Sequence, residues 1–217
     1  IGLRYLNPET VQVVMQLAPF LLMLGGVVIF KERFTRFQTL GAVVLLSGML
    51  MFFNERLATL ANSTTESPIG LAIIIFAATT WAIYALAQKP LLQNFSAKQL
   101  TLFMYVLGFI ILLPLTDFSA IFNLQSVHVG ALIFCCFNTI IAYGAFTEAM
   151  EVWSASKVSA VIATAPIFTY ISMDIAIDIS PERFVHSQMD EWAYFGAGLV
   201  IVGSIMCSLG KKKPKIN

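Results

Sequence analysis

The amino-acid sequence predicts an all-α integral membrane protein that folds as an inverted-repeat helical bundle. Hydrophobic residues make up 58% of the chain and charged residues only 12%, far from the balance of a soluble globular domain. Apolar segments long enough to cross a bilayer follow one another, and one pattern of proline and glycine occurs twice. Together these observations indicate helices surrounded by lipid and organised in two related halves.

Seven apolar segments have the length of about 17 to 25 residues that crosses roughly 30 Å of hydrocarbon. Most charged residues fall in the short connections, as expected when a charge at the bilayer centre costs a few kcal/mol. The predicted spans are residues 8–30, 37–53, 69–87, 98–115, 127–147, 156–177 and 192–209.

Each span is justified by its own features. The first and the sixth contain an Ala-Pro pair, and the second and the seventh carry faces of small residues. The third ends in an aromatic and amide face, the fourth is identified by its apolar composition alone, and the fifth has polar groups near its middle. The pairing of first with sixth and of second with seventh indicates an internal repeat.

The spacing of the repeat also predicts its orientation. Pro19 and Pro166 are 147 residues apart and Gly41 and Gly196 are 155 apart, which indicates an eight-residue insertion in the second copy. Five spans separate the copies, so the second copy enters the membrane from the opposite face. Each repeat should contain five helices, ten in all. We therefore expect about 80 residues, enough for three spans, to precede Ile1; a genuine seven-helix protein is the alternative.

The basic residues predict how the chain is oriented. Ten of the thirteen Lys and Arg residues lie on the side that carries the C-terminal tail, which predicts that this side is cytoplasmic. A bacterial inner membrane is the expected location. The predicted organisation is the end of the first repeat, with two full helices and the end of a third, over residues 1–53; an outer linker over 54–68; the second repeat over 69–209; and a basic cytoplasmic tail over 210–217.

At this point the sequence resembles the EamA branch of the drug/metabolite transporter superfamily, whose members have ten helices in two inverted halves. The resemblance covers essentially the whole chain, apart from an enlarged connection around Asp178 to Arg183. It depends on the order and spacing of Leu3-Arg4-Tyr5, Leu17-Ala18-Pro19, Lys31-Glu32-Arg33, Gln38, Gly41, Trp81-Ala82-Ile83-Tyr84, Lys89, Thr139 to Tyr143, Ala149, Ala155, Ala165-Pro166 and Gly196-Ala197.

The first and sixth spans carry candidate substrate-cavity residues. Gln12, Gln16, Pro19 and Met23 share one helical face. An amide within a span should turn toward protein or a wet cavity. The resemblance implies that Gln12, Gln16 and Tyr170 line the central cavity. Hydrogen bonding between helices, without substrate contact, is the alternative for the two amides.

Further candidates lie on the third and fifth spans. Trp81 and Tyr84 share a face near the end of the third span, where they would line the cavity or anchor the helix at the interface. Asn138, Thr139 and Tyr143 lie near the middle of the fifth span, where the Asn138 amide needs a partner.

The prolines, glycines and one acid complete the candidates. Pro19 and Pro166 are expected to kink their helices, either as hinges or as packing features. Asp174 is a carboxylate inside the sixth predicted span, a candidate coupling acid or an acid that reaches outer water. Four glycines are expected to allow close helix contact within the monomer or, alternatively, in a homodimer: Gly41, Gly48, Gly196 and Gly203.

These features predict a secondary transporter, not an enzyme, that moves a small organic solute by alternating access. The absence of mid-membrane basic residues favours a neutral or zwitterionic metabolite such as an amino acid, and the resemblance implies efflux. The alternatives are a nucleotide-sugar-type antiporter and a seven-helix receptor without transport activity. The expected partners are the solute and membrane lipid; no cofactor, metal or nucleic acid is expected.

Overall fold

The structure, a computed structural model, describes residue 6 and residues 8–55, 57–58, 68–116, 119, 124–179 and 190–209. A 3-10 turn over Leu113–Leu115 extends one helix. The principal helices are α1 (Pro8–Met15), α2 (Leu17–Val28), α3 (Arg36–Phe52), α4 (Pro68–Leu91), α5 (Ala97–Leu112), α6 (Ser126–Val152), α7 (Ala155–Ile162), α8 (Ala165–Ile179) and α9 (Glu191–Leu209).

The helices confirm the predicted fold class, an all-α integral membrane helical bundle. Six apolar helical stretches in the described part of the chain are long enough to cross a bilayer, and α3 is a shorter apolar helix of 17 residues. Two predicted boundaries are wrong, because α6 continues to Val152 instead of ending at residue 147, and α4 continues to Leu91 instead of ending at residue 87. The helix continues because Gln88 is buried and the Lys89 ammonium binds backbone carbonyls, so neither polar residue ends it.

Contacts divide the chain into two units, Ile1–Leu86 with Ser154–Asn217 and Ala87–Trp153. The core of the first unit is the antiparallel pair of α3 and α9. Gln38 at the start of α3 donates from Nε2 to the carbonyl oxygen of Cys207 at 3.2 Å. Near the opposite ends, Asn54 donates from Nδ2 to the Asp190 carboxylate at 2.7 Å. A polar contact therefore holds the pair near each end.

Glycines let the backbones of α3 and α9 approach between these ends. A Cβ added to Gly48 would lie 2.6 Å from the Val200 nitrogen, and one added to Gly203 would lie 2.7 Å from Leu45 Cα. The 155-residue offset relates Gly48 to Gly203 and Leu45 to Val200, so the two contacts are equivalent. Equivalent reciprocal contacts are the pattern of a two-fold axis. An approximate two-fold axis therefore relates α3 to α9, as an inverted repeat requires.

The second helix pair of the first unit is α2 with α7, also antiparallel. The Ser159 hydroxyl of α7 donates to the Pro19 carbonyl of α2. Toward the C-terminal end of α2, a Cβ added to Gly26 would lie 2.7 Å from the Ser156 hydroxyl oxygen. Met23 packs with Ala160 between these points. The first and sixth predicted spans, which the offset of 147 relates, thus face each other.

The second unit contains α5 and α6. Ser96 and Gln99 form a capping box at the start of α5, and the Glu151 carboxylate accepts from the Ala97 N–H at 3.0 Å. Within the bundle, the Tyr105 hydroxyl donates to the Thr139 carbonyl at 2.9 Å. The first contacts satisfy backbone N–H groups at the start of α5, and the Tyr105 bond links α5 to α6.

Candidate functional site

Two equivalent interruptions break the paired helices of the first unit. The first lies at Gln16, between α1 and α2, and the second lies at Ala163 and Thr164, between α7 and α8. Each begins three residues before a proline, Pro19 or Pro166. Because proline has no N–H, it leaves the carbonyl four residues earlier without its helical partner. The repeat therefore carries the same break in both copies.

The antiparallel packing brings the two interruptions to the same level. Ser159 contacts Pro19, and Ser156 lies beside Gly26. In this register the residue numbers of two neighbours, one on α2 and one on α7, sum to about 180. By that register Gln16 lies level with Ala163 and Thr164. The backbone stays close to helical at each interruption, with φ −65° and ψ −13° at Gln16 and φ −59° and ψ −16° at Ala163. The polar groups that each interruption frees are therefore the carbonyls that the prolines leave without a helical partner. We call this region the paired helix break.

The predicted amides lie beside this region. Gln12 on α1 and Gln16 at the break are both half-buried, and no side-chain hydrogen bond from either is found among the described residues. Pro19 and Met23, on the same predicted face, are instead buried in the contact with α7. The helical face that was expected to line a cavity therefore has two parts. The amides of Gln12 and Gln16 lie near the break, and Pro19 and Met23 pack against α7.

Tyr170 on α8 contributes an aromatic side chain to the same unit. Its ring meets the Phe52 ring edge to face, with centroids 5.3 Å apart and planes at 87°. Val13 on α1 packs on the same cluster, which contains Phe52, Phe53, Ile167 and Val200. The ring contact gives Tyr170 a packing role at the end of α3. Asp174 lies in α8, but its side chain is outside the described residues.

Glu32 closes the far end of the α2–α7 pair. Its carboxylate accepts from the Ala155 N–H at 2.8 Å, the Ser156 N–H at 3.1 Å and the Ser156 hydroxyl at 2.5 Å. The preceding Lys31 has a φ of 52°, in the left-handed region that L-residues rarely adopt. Ser154, at the N-cap of α7, makes no side-chain capping bond. Glu32 therefore caps α7 from a different helix connection.

An apolar groove lies on the opposite face of α2. Its volume is about 260 Å³. From α2 and its C-cap it is lined by Leu21, Leu24, Gly25, Val28 and Ile29, and from α4 by Thr79, Ala82, Ile83 and Leu86. The sequence does not single out this groove, because its lining residues are apolar, as lipid-facing residues are. The pattern that distinguishes the lining residues is their spacing of i, i+3, i+4 and i+7 on each of two helices.

Trp81 and Tyr84 lie on another face of α4. Successive helical residues are 100° apart, so positions 81, 84 and 88 face away from the groove. Trp81 and Tyr84 are half-buried and Gln88 is 2% exposed. In the second unit, Gln88 Oε1 is 3.1 Å from the Thr147 hydroxyl, and Gln88 Nε2 has no hydrogen-bond partner in the described part of the chain.

The candidates on α6 belong to the second unit. Asn138 and Tyr143 are exposed, and Thr139 is half-buried with its hydroxyl bonded to the Cys135 carbonyl at 2.7 Å. No side-chain hydrogen bond from Asn138 is found within the described ranges. Asn138 therefore presents an unpaired amide on a long apolar helix. Among the described residues, no group of three or more His, Cys, Asp or Glu residues is placed to hold a metal ion.

The fold and the paired helix break define an all-α membrane protein in which two interrupted helices, related by the 147-residue offset, pack against each other. Residues 68–209 match the model of the EamA-like transporter family. The chain belongs to the EamA-like transporter family.

Named relatives agree with this assignment. The chain is 36% identical to an uncharacterized transporter of Haemophilus influenzae over 97% of its own length and 69% of the relative. It is 37% identical to the uncharacterized inner membrane transporter YhbE of Escherichia coli over 97% of its length and 66% of the relative. An uncharacterized transporter of Bacillus subtilis, YyaM, is 26% identical over 100% of the chain and 70% of the relative. The chain thus spans about two thirds of the length of these relatives.

Proposed function

We propose that the protein is a secondary transporter that exports a small neutral or zwitterionic metabolite, such as an amino acid, by alternating access. The observation that carries the proposal is the paired helix break, in which equivalent half-helices of the two copies end at the same level. Broken helices that meet at the interface of inverted repeats form the substrate sites of several transporter folds. Membership of a transporter family supports the same conclusion.

The charge of the break supports the proposed substrate class. Residues 10–30 and 158–173 contain no Asp, Glu, Lys or Arg. The available polar groups are the carbonyls that Pro19 and Pro166 leave without a helical partner, which carry partial negative charge, and the amides of Gln12 and Gln16. A neutral or zwitterionic solute suits this arrangement, because its amino group can donate to a freed carbonyl and its carboxylate can accept from a glutamine amide. The amides of Gln12 and Gln16 would orient the solute by hydrogen bonding.

The proposed cycle uses the two repeats as alternating gates. The α3–α9 pair is joined through glycine backbone contacts and would stay together, because separating it would leave a void where the helices now touch. Movement would instead occur at the interruptions before Pro19 and Pro166, where the helical hydrogen-bond pattern is already broken. Positive charge on the side of the C-terminal tail supports a cytoplasmic C-terminus, so export would run from that side outward.

The test is solute flux in proteoliposomes that contain the protein expressed from its complete reading frame. Vesicles are loaded with a mixed panel of amino acids, other neutral metabolites and nucleotide sugars, and efflux is measured by mass spectrometry against empty vesicles. Selective loss of amino acids or other neutral solutes supports the proposal. Selective loss of nucleotide sugars would reject the proposed substrate class, and no flux with verified insertion would reject transport.

A further inference from the structure

Two apolar clusters of the first unit are copies of each other in the repeat. One joins α2 and α7 to α3 and α9, and the other joins α1 and α8 to the same two helices. Four members of the first cluster have counterparts in the second at the offsets of 147 and 155: Met23 with Tyr170, Ala160 with Val13, Leu45 with Val200 and Cys207 with Phe52. We call the contact of α2 with α7 the α2–α7 seam and that of α1 with α8 the α1–α8 seam. The second seam is thus the two-fold counterpart of the first.

Hydrogen bonds hold the α2–α7 seam closed at two levels. Beside the paired helix break, the Ser159 hydroxyl donates to the Pro19 carbonyl, and both residues are buried. At the far end, the Glu32 carboxylate accepts from the Ala155 N–H at 2.8 Å and from the Ser156 N–H at 3.1 Å. These bonds join one copy of the repeat to the other. They must therefore break whenever α2 moves away from α7.

Gln12 holds the corresponding position in the α1–α8 seam. The offset of 147 converts Ser159 to Gln12 and Pro19 to Pro166. The two-fold relation therefore directs the Gln12 amide to the Pro166 carbonyl, which has a second lone pair to accept it. The Gln12 side chain is half-buried, and no hydrogen bond between α1 and α8 is found among the described residues. The seam thus has a donor and an acceptor at matching positions, without the bond in this structure.

The longer side chain of Gln12 suits the composition of its seam. In the α2–α7 seam, Gly26 permits a close approach, because a Cβ there would lie 2.7 Å from the Ser156 hydroxyl oxygen. At the offset of 147 from Gly26 the sequence has Met173, so the α1–α8 seam lacks this glycine. A serine hydroxyl bonds only across a close contact, whereas a glutamine amide extends further from its backbone. A longer donor therefore stands where the helices cannot approach as closely.

We propose that the two seams close in turn, and that Gln12 holds the α1–α8 seam on the Pro166 carbonyl when the Ser159 bond of the α2–α7 seam is broken. This inference rests on the proposed alternating access and adds the bonds that hold each state. The structure then shows the state with the α2–α7 seam closed, which is the cytoplasmic side in the proposed orientation. In this state the Gln12 amide is available to the solute, and closure of its seam transfers it to the Pro166 carbonyl.

The experiment measures distances across both seams by double electron–electron resonance. The protein is expressed from its complete reading frame with its native cysteines replaced, and it is reconstituted in liposomes. One spin-label pair, at Ile29 and Lys157, reports on the α2–α7 seam, and the other, at Val11 and Ile175, reports on the α1–α8 seam; these four positions are exposed or half-buried. Each pair should show two distances, and the short distance at one seam should accompany the long distance at the other.

Replacing the two donors should shift the populations in opposite directions. Ser159→Ala should lower the ratio of closed to open α2–α7 seams about fivefold, the effect of losing one hydrogen bond. Gln12→Met keeps the length of the side chain without its donor and should raise the same ratio about fivefold. Thr169→Val is the control and should leave the ratio unchanged, because the Thr169 hydroxyl bonds within α8, to the Ala165 carbonyl at 3.2 Å. General destabilisation cannot produce opposite shifts.

The outcomes separate this inference from the proposed function. An unchanged ratio in Gln12→Met, or a shift in the same direction as in Ser159→Ala, would overturn the role of Gln12. Solute flux together with a single fixed distance at each seam would overturn the inference and leave transport in place. Two exchanging distances with opposite shifts in the variants would support the inference even if no solute of the panel moved, a result that would count against the proposed function alone.

Discussion

The Glu32 carboxylate accepts hydrogen bonds from both the backbone N–H and the hydroxyl of Ser156, at 3.1 and 2.5 Å. The contact joins the connection after α2 to the first turn of α7 and so links the two copies of the repeat. A carboxylate at a helix N-terminus gains from unpaired N–H groups and from the helix dipole. Gly26 makes room for the contact, because a Cβ there would lie 2.8 Å from Glu32 Oε2.

Replacement of Glu32 tests how much this capping contact stabilises the first unit. Glu32→Ala should lower the free energy of unfolding by about 2 kcal/mol, because it removes charge-assisted hydrogen bonds to three donors. Glu32→Gln should cost less, since one amide oxygen still accepts. Thermal unfolding in detergent measures the loss. The control is Glu148→Ala, an exposed acid on α6; equal effects at the two positions would contradict a specific cap.

The close contacts between α3 and α9 predict that one added methyl group lowers the free energy of unfolding at Gly48 but not at Gly198. Gly48→Ala would place Cβ 2.6 Å from the Val200 nitrogen and 2.8 Å from the Gly196 oxygen. Backbone atoms cannot rotate away, so the free energy of unfolding should fall by about 1–3 kcal/mol or more. Gly198→Ala on α9 is the control, because its added Cβ meets nothing within 4 Å. Equal melting temperatures for the two variants would contradict the close approach.

The paired helix break predicts an effect on transport without loss of insertion. Gln16→Ala removes an amide beside the interruption and should lower solute flux about five- to tenfold if that amide orients the solute. A hydrogen bond lost in the transport cycle costs about 1 to 1.5 kcal/mol, which corresponds to that factor. Gln93→Ala, an exposed position after α4, should transport normally. Normal flux in Gln16→Ala would remove this residue from the site.

Asn138 gives a separate test in the second unit. Asn138→Ala removes an exposed amide from the middle of α6 and should lower flux if the amide faces the solute path. Insertion should be unchanged or improved, because an unpaired amide against lipid is unfavourable. The measurements are flux in proteoliposomes and the membrane-inserted fraction. Unchanged flux would show that Asn138 is not part of the transport site.

The contact between Gln88 and Thr147 predicts that replacing Thr147 destabilises the protein more than replacing Gln88. Thr147→Val leaves the buried Gln88 amide without its neighbour, so the free energy of unfolding should fall by about 1–3 kcal/mol. Gln88→Met removes the buried Nε2 that has no partner in the described part of the chain, and should be close to neutral. Thermal unfolding of both variants checks the prediction; a larger loss from Gln88→Met would indicate that Nε2 binds an ordered group.

Several parts of the fold could be predicted from sequence because they depend on local composition and spacing. Span length follows from apolar runs, and the repeat follows from the offsets of Pro19 and Pro166 and of Gly41 and Gly196. The four glycines lie between α3 and α9 of one chain. A homodimer, which remains a prediction, would have to use another surface.

The tertiary structure decided which faces meet. Pro19 and Met23 share a face with Gln16, yet they pack against α7, because that face meets Ser159 and Ala160. The groove on α2, the burial of Gln88 and the capping of α7 by Glu32 all depend on residues distant in sequence. The sequence by itself thus determined the membrane class and the approximate spans, and it predicted the repeat, since hydropathy and periodicity are properties of single segments. Only the packed helices determined each side chain's neighbours, because helix rotation and register are set by contacts between segments.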